Sequence, residues 1–326
     1  MPLERLLTPS LAASSSEKLD WLEFVAFLSP NGVARLDVLF GALDQQEEEK
    51  FEDFGEEDRR KEVMVEELEN EFDCRSTALD EEYPFLLSDD AEELLLMRSW
   101  DDDRAVFYFV CLLASHLVNS PFVGFTISDE IIQKLRNEVF QIVSTLAMAG
   151  VSIGPSVSIG WPRKSDETIL EVLQRASAAN AGFNPRVAAH PNLANPHDKD
   201  GGMDVISWRS AHRPPPLNLY FGQVASGADW KGKSAASKAK SFKAKYFDVG
   251  PLGNEDFTTL TPLRISDEPL WNREHADHGS IVDRTMLPTF AHQGMQLAAQ
   301  GVMVDEADNI AVVLEWVADY RVAALS

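Results

Sequence analysis

Apolar residues recur every three to four positions in several stretches, and this spacing predicts helices over residues 17–27, 37–43, 91–98 and 104–117. Residues 45–72 carry the same spacing at Phe51, Phe54, Val63, Val65, Leu68 and Phe72, among many acidic side chains, which predicts an amphipathic acidic helix. Residues 121–128 read as a loop. Ser128 before Asp129 and Glu130 is an N-cap signal, and the helix it opens runs through Ile131, Leu135, Val139, Ile142, Val143 and Leu146 to Gly150. A further helix is expected over about 166–181.

The pattern changes after a Pro/Asn/His-rich loop at 187–199. Residues 203–208 predict a short strand, 213–216 a turn, and 217–225 a longer, more apolar strand suited to the centre of a sheet. Strands are also expected at 257–265 and 280–282, and two helices, at about 288–300 and 308–323, complete the pattern. No internal repeat is present. The order of elements predicts an α/β fold in two parts: an acidic, mainly helical domain over 1–125, and a domain with a central mixed sheet flanked by helices over 126–326.

Composition narrows the function classes. Hydrophobic residues at 44% and charged residues at 25% are ordinary for a globular chain of 326 residues. Two cysteines, Cys74 and Cys111, exclude a disulfide framework or a Cys-rich zinc site and point to a reducing compartment, so a cytoplasmic location is expected. The longest apolar run, 105–118, is interrupted by Ser115 and His116 and is too short to span a bilayer, so no membrane partner is expected. Residues 1–16 lack the features of a secretion signal and read as a Ser-rich lead-in.

Charge is distributed unevenly. With 29 Lys+Arg against 53 Asp+Glu the formal net charge is -24, which excludes a surface that is basic all over. Residues 44–103 hold 25 acidic and 6 basic residues, a local net charge of -19. That stretch is either a solvated helix face or a surface for a partner. Between 231 and 245 the sign reverses, with Lys231, Lys233, Lys238, Lys240, Lys243 and Lys245 and no acid, a stretch suited either to solvent or to a polyanion backbone.

The most informative string is Gly201-Gly202-Met203-Asp204-Val205-Ile206, with Gln223 near the end of the next strand. A divalent-metal phosphodiesterase needs a carboxylate at the start of one strand and an oxygen ligand on its neighbour, and these two residues suit those places. An Asp entering a strand after two glycines also serves as a plain turn residue. The run 199–208, then Phe221-Gly222-Gln223-Val224-Ala225-Ser226-Gly227 with Trp230 and Lys233, resembles a bacterial family of restriction-endonuclease-like proteins of the PD-(D/E)xK superfamily, many of them associated with anti-phage defence. Ile281-Val282-Asp283-Arg284 resembles a further block of the same family, and the resemblance covers about 130–288.

The resemblance implies a restriction-endonuclease-like core, Mg²⁺ or Mn²⁺ as cofactor and DNA as substrate. It implies that Asp204 is the metal-binding acid, that Gln223 stands where Asp or Glu is usual, and that Glu138 on the preceding helix is an additional metal-polarising acid. It expects lysine at position 225, where this chain has Ala225, so Lys233, or else Lys231, becomes the candidate to stabilise transition-state charge from a shifted position. Lys231, Lys238, Lys240, Lys243 and Lys245 would contact the DNA backbone without reading sequence. A chain of this overall sign is expected to need further positive charge from a protein partner in a multi-component defence complex, such as an ATPase or helicase, or from a homo-oligomer.

Two other readings stay open. Ala225 also fits an inactive nuclease fold that binds or assembles. Residues 227–234 satisfy G-x-x-x-x-G-K-[ST] after a strand, as in a P-loop NTPase using Lys233 and Ser234, although only 92 residues follow, too few for the parallel strands such a core needs. His275 and His278 form H-x-x-H in what reads as a polar surface loop, and His190 and His197 flank the loop before Asp204.

Overall fold

The computed structural model describes residues 6–46, 54–119, 127–160, 167–194, 200–213, 215–227 and 229–326. The acidic stretch is therefore described at 44–46 and from residue 54, and the expected domain boundary at 125–126, the 121–126 part of the loop and His197 lie outside the described residues.

The N-terminal part consists of α1 (Ser15–Leu28), β1 (Val33–Arg35), α2 (Leu36–Asp44), α3 (Phe54–Leu79), β2 (Phe85–Leu87), β3 (Glu93–Leu96) and α4 (Ala105–Asn119). Ser14 and Glu17 form a capping box that starts α1. Residues 91–98, expected as helix, instead form strand β3, which pairs antiparallel with β1 and β2. The Ser88–Asp90 turn reverses the chain, with Ala91 at φ 53°, and the leucine triplet then pairs as a strand with Leu94 buried.

Next come α5 (Asp129–Lys134), a π-helical turn at Leu135–Val139, α6 (Phe140–Ser152), β4 (Ser156–Ser158), α7 (Ile169–Ala178), β5 (Asn184–Pro185), β6 (Val205–Arg209) and β7 (Asn218–Val224). The chain continues through α8 (Ala235–Tyr246), β8 (Phe247–Val249), β9 (Asn254–Leu260), α9 (Glu268–His278), β10 (Ser280–Val282), α10 (Leu287–Ala299) and α11 (Ile310–Leu325). Ser128 caps α5 as expected, accepting from the Ile131 N–H.

A five-stranded mixed sheet has the order β10-β9-β7-β6-β4, with β7 at its centre as its apolar sequence predicts. β4, β6 and β7 run antiparallel to one another, whereas β9 is parallel to β7 and β10 parallel to β9. Side chains alternate between two cores. Ile206, Trp208, Leu219 and Phe221 pack with α7 and α8, while Val205 and Leu260 pack with α6, α10, α4 and α11. The second of these cores also holds residues of α1 to α4, so apolar packing is continuous across the two halves of the sequence. α6 and α10 touch backbone to backbone: a Cβ on Gly150 would lie 2.2 Å from the Phe290 carbonyl oxygen, and one on Gly294 2.0 Å from that of Leu146.

A buried ion cluster also joins the two halves. Arg75 donates to Asp20, Glu23 and Glu71 at 2.6, 2.9 and 2.8 Å, and Arg284 donates to Asp20 at 2.6 Å. Burial pushes the Asp20 carboxyl up, but Arg284, Arg75 and His116 outweigh it and hold the group well below the usual carboxylate range. Among the described residues, no helix is long and apolar enough to cross a membrane.

Candidate functional site

The register of β6 against β7 pairs Val205 with Gly222, which places Asp204 opposite Gln223 at one end of the sheet. The Asp204 peptide is fixed from two sides. Its N–H donates to the Gly222 carbonyl at 3.0 Å, and its carbonyl accepts from the N–H groups of Ile159 and Gly160 and from Gln141 Nε2. Upstream, the chain turns through Gly201 and Gly202 at φ 66° and 97°, a backbone that side chains disfavour, and a Cβ at Gly201 would strike Tyr246 at 2.5 Å.

The Asp204 carboxylate Oδ2 accepts from the Val224 N–H at 2.8 Å and from Gln223 Nε2. Both side chains are buried. Burial pushes the Asp204 carboxyl from its ordinary 3.8 up to about 7; nearby Asp200 adds to the rise, while the Val224 N–H and Lys233 oppose it.

Asp204 and Gln223 line a cavity of about 750 Å³. Lys233, Lys238, Asp200 and Asp229 also border it, and the helix before the sheet contributes Arg136, Asn137 and Gln141. Asp204, Gln223 and Lys233, singled out from sequence, thus meet in one place. Glu138 does not line the cavity. The π-helical turn turns Leu135 and Val139 into the core, and of the three residues between them Arg136 and Asn137 reach the cavity instead.

The lysines separate into groups. On α8, Ala235, Ala239, Phe242 and Tyr246 form the buried stripe, which leaves Lys238 and Lys240 exposed. Lys243 is paired with Glu255 and lies 5.8 Å from the Phe221 ring centroid, so its charge is already engaged. Lys245 is half-buried near the end of α8, and Lys231 is exposed beside the Trp230 ring. Ala225 is fully buried against Trp230, Ile265 and Ile281, a setting without room for a lysine.

Within 227–234 the peptide N–H groups of Trp230, Gly232 and Lys233 donate to carbonyls of the same loop, and the Ser234 hydroxyl donates to the Asp277 carbonyl and caps α8. Those donors are therefore not turned toward a phosphate as a P-loop requires. His275 and His278 stand on helix α9 rather than in a loop. His278 is buried within hydrogen-bond distance of Thr259 Oγ1 and the Lys231 carbonyl, and His275 accepts from the Ile281 N–H. Both serve packing. His190 is held by its backbone N–H to the Lys245 carbonyl.

Among the described residues, no three His, Cys, Asp or Glu side chains converge as a metal-holding group. The donors around the cavity include the carboxylates of Asp204, Asp200 and Asp229 and the amide oxygen of Gln223. An all-oxygen set with few carboxylates suits a hard divalent cation that keeps its waters and takes substrate oxygens. It does not suit zinc. Asp200, Asp229 and Arg136 also line the cavity; the first two lie within the runs 199–208 and 227–234, whereas Arg136 carries no sequence signal. Comparison with protein-family models, curated proteins and solved structures finds no match to this chain.

Proposed function

We propose that this chain is a metal-dependent nuclease with a restriction-endonuclease-like core, hydrolysing DNA phosphodiester bonds at the Asp204–Gln223 cavity. The observation that carries this reading is the direct contact of Asp204 with Gln223 across adjacent strands, in a cavity that Lys233 also lines. The mixed sheet flanked by helices is the architecture this reading expects. Mg²⁺ or Mn²⁺ held by Asp204 and Gln223, with Asp200 adjacent, would supply activation of water and neutralisation of phosphate charge.

The chain's own residues have distinct tasks. Asp204 must ionise to act, and Lys233 opposes its raised pKa, favouring the charged form. Gln223 hands its amide N–H to Asp204, leaving its carbonyl oxygen for a cation. Lys233 also offsets charge that builds on the phosphate oxygens. Lys238 contacts the backbone at the cavity, with Lys231 and Lys240 beyond it. A partner or a second copy supplies further positive charge and strengthens the otherwise weak hold of a chain of net charge -24 on DNA. We place the protein in a multi-component bacterial defence complex, in which an ATPase or helicase subunit is a fitting partner.

A second reading, an inactive nuclease fold used for assembly, is favoured by the closed setting of Ala225. Cleavage and ATPase assays with Mg²⁺ or Mn²⁺ on the wild type, Asp204→Ala, Lys233→Ala and Ser234→Ala separate the readings. Metal-dependent cleavage lost in Asp204→Ala and in Lys233→Ala is the expected result. ATP hydrolysis lost in Ser234→Ala and retained in Asp204→Ala would overturn it, and a wild type that binds DNA without cutting it supports the assembly reading.

A further inference from the structure

The π-helical turn at Leu135–Val139 interrupts an otherwise regular helix, and such turns are rare and concentrate at functional sites. Its effect here is local. Phe140 donates its N–H to the Leu135 carbonyl, five residues back, so the turn is widened between two fully buried anchors, Leu135 and Val139. Arg136, on the outer arc, is exposed and lines the cavity that holds Asp204. One turn later Gln141 ties the same helix to the site, donating to the Asp204 carbonyl and to Ser158 Oγ, both at 3.0 Å. The position of Arg136 relative to Asp204 is thereby set by a hydrogen bond.

Several arginines of this chain, Arg60, Arg75, Arg104, Arg175, Arg264 and Arg284 among them, are in ion pairs. Arg136 makes no ion pair among the described residues, despite 53 acidic residues in the sequence. Lys238, on α8, also borders the cavity. A guanidinium presents a planar fork that matches two phosphate oxygens, whereas an ammonium acts as a point charge.

We infer that Arg136 is a substrate-binding residue: it grips a backbone phosphate of the nucleic-acid strand from the helix wall, while Lys238 holds a neighbouring phosphate from α8. This inference rests on the nuclease reading for the identity of the strand, but it concerns binding rather than cleavage. Fluorescence anisotropy with a short labelled DNA duplex and its single strand, in Ca²⁺ and across a salt series, tests it with the full chain. Arg136→Gln is expected to bind about tenfold more weakly and to lower the slope of log K against log salt by about 1. Arg136→Lys keeps most of the slope but recovers only part of the affinity. Arg59→Gln, the same charge change on the acidic helix α3, sets the baseline, and equal melting temperatures show that the fold is intact.

An Arg136→Gln protein with the affinity and slope of Arg59→Gln overturns the inference and leaves the nuclease reading standing. Binding by a wild type that never cleaves, still lost in Arg136→Gln, removes the hydrolytic reading and supports the phosphate grip. A wild type that binds neither DNA at low salt overturns both.

Discussion

Asp204→Asn is expected to stabilise the protein while removing cleavage. The Asp204 carboxyl is 7% exposed, and burial with Asp200 nearby raises it from 3.8 to about 7. An acid whose folded-state pKa is raised binds its proton more tightly in the folded than in the unfolded chain. The contribution of this group to stability is therefore highest below about pH 4, falls as pH rises toward 7, and is flat above it. The full fall corresponds to about 4 kcal/mol. Asparagine is neutral at every pH and its Oδ1 can still accept from the Val224 N–H and Gln223 Nε2. The loss of charge assistance in those bonds costs about 1 kcal/mol, which leaves a gain of about 3 kcal/mol at pH 8. Urea denaturation of both proteins at pH 8 and pH 5 measures it, and the gain should shrink by more than half at pH 5. A destabilised variant at pH 8, or a difference independent of pH, would refute the assignment of Asp204 as a buried, strained carboxylate.

Two further substitutions probe the frame around the site. Ala225→Lys, which restores the lysine expected by family resemblance, places an amine among Trp230, Ile265 and Ile281; it should cost about 1–3 kcal/mol and bring no gain in cleavage, checked by thermal melting and a nuclease assay. Arg284→Met removes a fully buried partner of Asp20 and should cost about 3–5 kcal/mol in urea denaturation, with part of the loss recovered when Asp20→Asn is added; a loss below about 1 kcal/mol would show that Arg75 and His116 satisfy Asp20 without it.

Some of this architecture is legible in the sequence for simple reasons. Ser128 announces its helix because a hydroxyl before two acids solves the open N–H problem of a first turn. The strand at 218–224 is legible because Leu219, Tyr220, Phe221 and Val224 make it more apolar than its neighbours, as a strand at the centre of a sheet requires. Asp204 and Gln223 could be paired because strand-end residues of antiparallel neighbours face each other once the register is set. The three-residue strands β1, β2 and β4 are too short for a period of two to register. Residues 91–98 read as a helix in sequence and pair as a strand in the fold because a leucine triplet satisfies helix and strand templates alike. His278 looks like a polar loop residue in sequence, and only its placement under Lys231 and beside Thr259 shows it as core. Glu138 rests on the resemblance alone and lies off the cavity, whereas Arg136 reaches it from a widened turn that breaks the 3.6-residue phase on which any assignment of helix faces depends.

The charge of the cavity ties these points together. Around it stand the cations Arg136, Lys233 and Lys238 and the acids Asp200, Asp204 and Asp229. With Asp204 ionised the two signs balance, and an approaching phosphate gains little from the local field. With Asp204 protonated, which its raised pKa allows below about pH 7, the cations are in excess. A divalent cation moves the balance the same way at higher pH by stabilising the ionised carboxylate while adding positive charge. DNA affinity measured without metal is therefore expected to fall as pH rises through about 7, and to stay flat over the same range in Ca²⁺. Asp204→Asn should remove the metal-free pH dependence; the same fall in the variant would assign the titration to another group.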